Sequence, residues 1–140
     1  VALIKTLEPY REMLHTANHP GPVTIFISGN RPIDLILQDP EILVSLDGRP
    51  DDLVRNIATA RMPVISTSLA TIGSWDGRSL MPRTMRKSIQ QLAKACHTQG
   101  KKLRLWAIPD TELSWSTMQR LGVDLINTDD LEGLRRFLGR

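Results

Sequence analysis

The stretch KLRLWAIPDTELSWSTMQRLGVDLINTDDLEGL, Lys102–Leu134, reads as strand, helix, strand, helix. Leu103–Ala107 is an apolar run bounded by Pro109 and Asp110, the pattern of a buried strand. Asp110 or Thr111 offers an oxygen to cap a helix running to Leu121, and Gly122 stands where a helix stop belongs. Val123–Ile126 is a second apolar run. Asp129 with Glu132 makes a capping pair for a last helix, whose buried face is expected at Leu131, Leu134 and Leu138. Strands joined by a helical crossover lie parallel in one sheet.

The same alternation extends toward the N-terminus. Pro82 opens the strongest helix, with Met85, Ile89, Leu92 and Cys96 on one face and Gly100 as its stop. Pro63–Ser66 and Ile42–Leu46 read as strands, with a weak helix over Asp51–Ala60 between them. Val23–Ile27 is a further strand, followed by a short helix that Pro40 ends. Leu3, Leu7, Tyr10 and Leu14 give a helical spacing at the start of the chain, kinked or restarted at Pro9. Leu69–Leu80 is a long connection containing Trp75-Asp76-Gly77, of the kind that often carries function.

About five strands, each followed by a helix or long crossover, define an α/β chain. The strands are continuous apolar runs, so a parallel sheet covered on both faces is expected. Two architectures fit: part of a closed β/α barrel, or an open flavodoxin-like sheet. With 140 residues the chain suits one domain, residues 1–140. It opens on Val1 and not on methionine, so further sequence is expected ahead of it. No apolar run is long enough to span a bilayer.

Composition narrows the chemistry. The net charge of +3 is a mild excess, clustered at Arg83, Arg86, Lys87, Lys94, Lys101, Lys102 and Arg104. Such a cluster can attract phosphate groups or nucleic acid, but it reads first as a solvated helix face followed by a strand start. No aromatic RNA-binding signature accompanies it, and nucleic acid is not expected as a partner. Cys96 is the single cysteine, which excludes an internal disulfide and a cysteine-based zinc site. Its place on an apolar stripe suggests a buried structural thiol. His15, His19 and His97 are scattered and read as surface or helix-end residues.

Polar residues at strand C-termini share one ligand-binding edge in either architecture. Here that edge would gather Ser28, Asn30, Arg31, Asp47, Arg49, Ser66, Ser68, Trp106, Asp110, Asn127 and Asp129. Arginines and hydroxyl or amide donors suit an anionic or polyhydroxylated ligand, and Trp106 could wall it. Duller roles compete: Asn30 and Asp47 in turns, Asp129 as a cap, Ser66 within a crowded interior. No phosphate-binding glycine loop, dinucleotide fingerprint, zincin helix or nucleophile elbow occurs. No histidine sits at a strand end, so no acid–base pair is evident.

The series ISGNRP (Ile27–Pro32), SLDGRPDDL (Ser45–Leu53), MPVISTS (Met62–Ser68), KLRLWAIPD (Lys102–Asp110) and GVDLINTDDLEGL (Gly122–Leu134) resembles a known superfamily. It is similar to the C-terminal half of the phospholipase-C-like phosphodiesterases, which include phosphatidylinositol-specific phospholipase C and glycerophosphodiester phosphodiesterases. The resemblance runs through nearly the whole chain and is most specific at Asp47-Gly48-Arg49-Pro50, Trp106 and Asn127-Thr128-Asp129. It implies the last five or so βα units of a TIM-type barrel that hydrolyses glycerophosphodiester or phosphoinositide-like substrates. It also implies two catalytic histidines and calcium- or magnesium-binding carboxylates, all N-terminal to the matched region. No catalytic or metal-ligating residue is therefore expected within this chain. The substrate-side residues carried over are Arg31, Asp47, Arg49, Trp106, Asn127 and Asp129. A partial barrel would leave strand edges bare, so the missing half or a second copy is the expected protein partner. A non-catalytic binding or assembly module is the alternative function.

Overall fold

The computed structural model describes residues 2–16, 19–38, 40 and 43–139. Helix α1 (Ala2–Leu7) passes into a 3-10 turn over Glu8–Met13, with Pro9 in its first turn, where a missing N–H costs nothing. Strand β1 (Phe26–Ile27) follows, then α2 (Ile33–Gln38) and β2 (Ser45–Gly48). A 3-10 helix over Pro50–Arg55 leads to β3 (Val64–Ser68), and a long loop leads on to α3 (Arg83–Thr98). Strand β4 (Lys102–Trp106), α4 (Glu112–Arg120), β5 (Leu125–Ile126) and α5 (Leu131–Phe137) complete the chain.

All neighbouring strands pair in parallel, in the order β1-β2-β3-β4-β5. The flavodoxin-like order reverses at a switch point, whereas this one steps in a single direction. Right-handed crossovers stepping one way put their helices on the same face. That is the winding of a β/α-barrel arc.

The helix-covered face is apolar. Leu46, Ile65, Leu103 and Leu105 are fully buried there against Met85, Ile89, Ala93 and Cys96 of α3 and Met118 of α4. Alternation along the strands sends Phe26, Ser45, Asp47, Val64, Ser66, Ser68, Lys102, Arg104, Trp106 and Leu125 to the second face. At the strand starts a hollow of about 530 Å³ is lined by Phe26, Ser45, Val64, Lys102 and Leu125, the first residue of each strand, so this face is concave at that end.

The structure corrects several sequence expectations. Burial on both faces holds for β2 and β3, but β1, β4 and β5 leave Phe26, Trp106 and Leu125 about two-fifths exposed, at 42%, 44% and 38%. The first strand is short because the Val23 amide bonds Met13 and its carbonyl accepts from His15, taking that residue out of the sheet. The second strand begins at Ser45, and Ile42 lies outside the described residues. The 3-10 turn after it stops at Arg55, where Asn56 adopts a left-handed conformation, and does not continue to Ala60. The last helix is capped by Asp130, whose carboxylate accepts from the Gly133 amide, and not by Asp129. Of its expected buried face, Leu131 is 76% exposed and Leu138 40%, while Phe137 holds the helix by packing its ring on Trp115 at 5.6 Å.

The long connection is anchored. Gly77 has φ +73°, and its carbonyl accepts from Thr111 Oγ1, so the loop tip rests on the N-cap of α4. A Cβ there would stand 2.3 Å from Ser114 Oγ, so both the space and the dihedral require glycine.

Candidate functional site

The strand C-termini hold two separate polar clusters. The first is built on β1 and β2. Asp47 is almost fully buried and accepts from Ser28 Oγ at 2.8 Å and Arg49 Nη1 at 3.0 Å. Burial alone would raise its pKa, but Ser66, Ser28 and Arg49 hold it below the ordinary carboxylate value. Ser66 Oγ acts there by proximity, since it makes no hydrogen bond of full geometry.

Arg31 reaches the same cluster by pairing with the buried Asp52 and donating to the Asp47 carbonyl at 3.1 Å. Asp52 also accepts from the Arg49 backbone N–H at 2.7 Å, which fixes the turn into the 3-10 helix. Against the opposing pull of burial, Arg31 and that amide hold the Asp52 carboxyl low. Arg49 Nη2 completes the ring by donating to Ser28 at 3.2 Å. Two arginines face two carboxylates here, so the cluster carries no net charge.

The second cluster lies on β4 and β5. Asn127 Oδ1 accepts from Arg104 Nε at 3.1 Å and Arg104 Nη2 at 2.6 Å. Trp106, two residues beyond Arg104 on the same face, is 44% exposed. Asp110 binds the next loop, accepting from Thr128 Oγ1 and from the Asp129 amide at 3.2 Å. Asp129 thus enters through its backbone, and its side chain stays exposed.

The six residues carried over from the resemblance therefore divide. Arg31, Asp47 and Arg49 meet in one network, Asn127 and Trp106 belong to the other, and Asp129 stands at its margin. Sequence reasoning placed Arg104 in a general basic run and missed its site position. The signal was its spacing: two residues before Trp106, it must share that face. The basic run itself is split. Arg83, Arg86 and Lys87 line a groove outside α3, Lys101 is buried and donates to the Ile57 carbonyl and Gln99, and Arg104 faces the concave side.

Cys96 is fully inside the core, as expected, and burial pushes its thiol up to about 11. His97 lies near the end of α3 and bonds Asp124 at 2.8 Å, and His19 bonds the Glu12 carbonyl. Neither approaches the strand C-termini.

The fold and rim define an α/β protein with a parallel sheet and an arginine-bearing strand-end edge. The chain resembles the glycerophosphoryl diester phosphodiesterase family, whose sequence model matches residues 102–132. That segment spans β4, α4, β5 and the start of α5. Among curated proteins, the chain is 25% identical to the Altered inheritance of mitochondria protein 6 homolog of Arthroderma benhamiae, over 96% of this chain and 48% of that protein. It is 25% identical to Altered inheritance of mitochondria protein 6 of Eremothecium gossypii, over 83% of this chain and 34% of the relative. A shorter match to the protein of that name in Zygosaccharomyces rouxii is 33% identical over 58 residues, 37% of this chain and 14% of that protein. The chain spans about half the length, or less, of these curated relatives. No solved structure matches it.

The described residues do not fit the divalent cation that the resemblance implies. Among them no three His, Cys, Asp or Glu side chains converge on a point that could hold a metal. The buried carboxylates Asp47 and Asp52 are occupied by arginines. Among the same residues no helix is long and apolar enough to cross a membrane.

Proposed function

We propose that this chain forms the substrate-side part of a phosphoric diester hydrolase acting on glycerophosphodiester or phosphoinositide-like substrates. The catalytic histidines and the carboxylates for calcium or magnesium belong, in this reading, to sequence outside these residues. The observation that carries it is the family match at 102–132, which covers the strand ends bearing Trp106 and Asn127. The polar side chains gathered at the strand C-termini support the same reading, because such folds bind ligands at that edge.

The test compares the complete parent protein with this chain alone. Glycerophosphocholine and phosphatidylinositol are supplied with calcium or magnesium, and release of the phosphomonoester products is followed. Turnover by the parent and none by the chain is the expected result. A parent inert toward both substrates would remove the phosphodiesterase reading, and turnover by the chain alone would remove the division of labour.

A non-catalytic assembly module is the second reading. It is favoured by the unpaired edges β1 and β5, which expose Phe26 and Leu125 at either end of the described sheet.

A further inference from the structure

We propose that Arg104 is the anion-holding residue of the concave face and receives the phosphoryl oxygens of a phosphodiester. This deepens the phosphodiesterase reading and rests on it for the ligand class.

Charge separates the two clusters. Arg31 and Arg49 each already pair with a carboxylate, Asp52 and Asp47, so an incoming anion gains little from them. Arg104 is held by Asn127, a neutral amide, and among the described residues no carboxylate forms an ion pair with it. Its positive charge is thus positioned without being neutralised.

Geometry gives that charge a direction. Asn127 takes Nε and one hydrogen of Nη2, which fixes the guanidinium plane. The edge formed by Nη1 and the second Nη2 hydrogen is left, and that edge makes two parallel hydrogen bonds to a phosphate. Ser66 is the register partner of Arg104 across β3 and β4, so their side chains rise from the same face.

Ser66 itself is fully buried, with its hydroxyl beside the Asp47 carboxylate that it helps hold low, and so belongs to the other cluster. Trp106, the partner of Ser68 and half-exposed, stands next along the face as an apolar wall for the alcohol portion.

The experiment titrates the isotopically labelled chain with dimethyl phosphate and follows the Arg104 Nε–H and the Trp106 indole by NMR. Saturable shifts at both positions are expected. Arg104→Gln should weaken binding by about tenfold or more, the scale of a charge-assisted hydrogen bond. Asn127→Asp keeps Arg104 but sets a carboxylate against it, and should weaken binding comparably. Arg49→Gln should leave it within about twofold, since that charge is already paired. The spectrum of each variant reports whether it has folded. Binding lost in Arg49→Gln and retained in Arg104→Gln would overturn the assignment while leaving the phosphodiesterase reading intact. No saturable shift in the unaltered chain would also overturn it. Hydrolysis by the complete parent protein then judges the wider reading separately.

Discussion

Arg49 donates from Nη1 to Asp47 Oδ2 at 3.0 Å, two residues back along its own chain, and Nη2 extends to Ser28 at 3.2 Å. The guanidinium therefore staples β1 to the end of β2. Arg49→Ala should cost about 1–2 kcal/mol, an intermediate figure because its side chain is 34% exposed and partly screened by solvent. Asp47→Ala should cost more, since it strands Ser28 and Arg49 together around a buried gap. Urea denaturation of both variants measures the difference, and stabilities equal to that of the unaltered chain would show that the network holds nothing.

Acid sensitivity follows from the two carboxylates in that network. Asp47 and Asp52 both titrate below their ordinary value of 3.8 in the folded chain. Near that value the unfolded chain binds more protons, so folding stability falls as the pH drops. Their contribution is complete above the ordinary carboxylate range and disappears as the pH passes below the depressed folded values. Asp47→Asn combined with Asp52→Asn should flatten the acid limb of a stability-against-pH curve while lowering stability at neutrality. An unchanged acid limb would place the sensitivity elsewhere.

How far the sequence carries the fold depends on which signals are local. Helix α3 is readable from Pro82 to Gly100 because its apolar face and its stop act within one segment. Parallel pairing is equally readable, since helices separate β3, β4 and β5. The concave face is another matter. Val23–Ile27 looks like a strand buried on both sides, but Val23 bonds Met13 and His15, and Phe26 is exposed. Those outcomes depend on neighbours distant in sequence. Asp129 and Asp130 are equally good caps by composition, and only the Gly133 amide chooses Asp130. At the candidate site, Asp47-Gly48-Arg49-Pro50 announced a polar turn, but the pairing of Arg31 with Asp52 crosses 21 residues. Arg104 was hidden because a charged residue inside a strand looks like part of the basic run until its face is known.

Cys96 offers a probe of the core. It is fully buried among the residues packing α3 on the sheet, and burial raises its thiol from the ordinary 9.0 to about 11. A thiol-specific reagent at pH 8 should therefore react only after opening of the chain, at a rate that rises with urea. Because the folded pKa lies above the unfolded one, the contribution of Cys96 is complete below pH 9 and is lost as pH rises toward 11. Cys96→Ala should remove that alkaline loss. Immediate labelling in the absence of denaturant would contradict the burial.

The open sheet edges lead to a prediction about association. Among the described residues β1 and β5 each pair on one side only, and both carry an exposed apolar residue on the concave face, Phe26 and Leu125. Beside β5 a further hollow of about 500 Å³ is lined by Val123, Ile126, Leu134 and Leu138. Bare backbone donors next to uncovered apolar surface favour pairing with another strand. The chain alone should therefore run larger than its 15.7 kDa monomer mass in size-exclusion chromatography with light scattering, increasingly so as concentration rises. Leu125→Lys puts a charge on the edge strand and should shift the equilibrium toward monomer, as Phe26→Lys should at the opposite edge. The two substitutions together separate two modes of contact. If β1 of one copy meets β5 of the next, either single change suffices. If each edge meets its own kind, both changes are needed. A monomer at every concentration, with both residues intact, would mean that the edges are protected by the chain itself, and the assembly reading would lose its support.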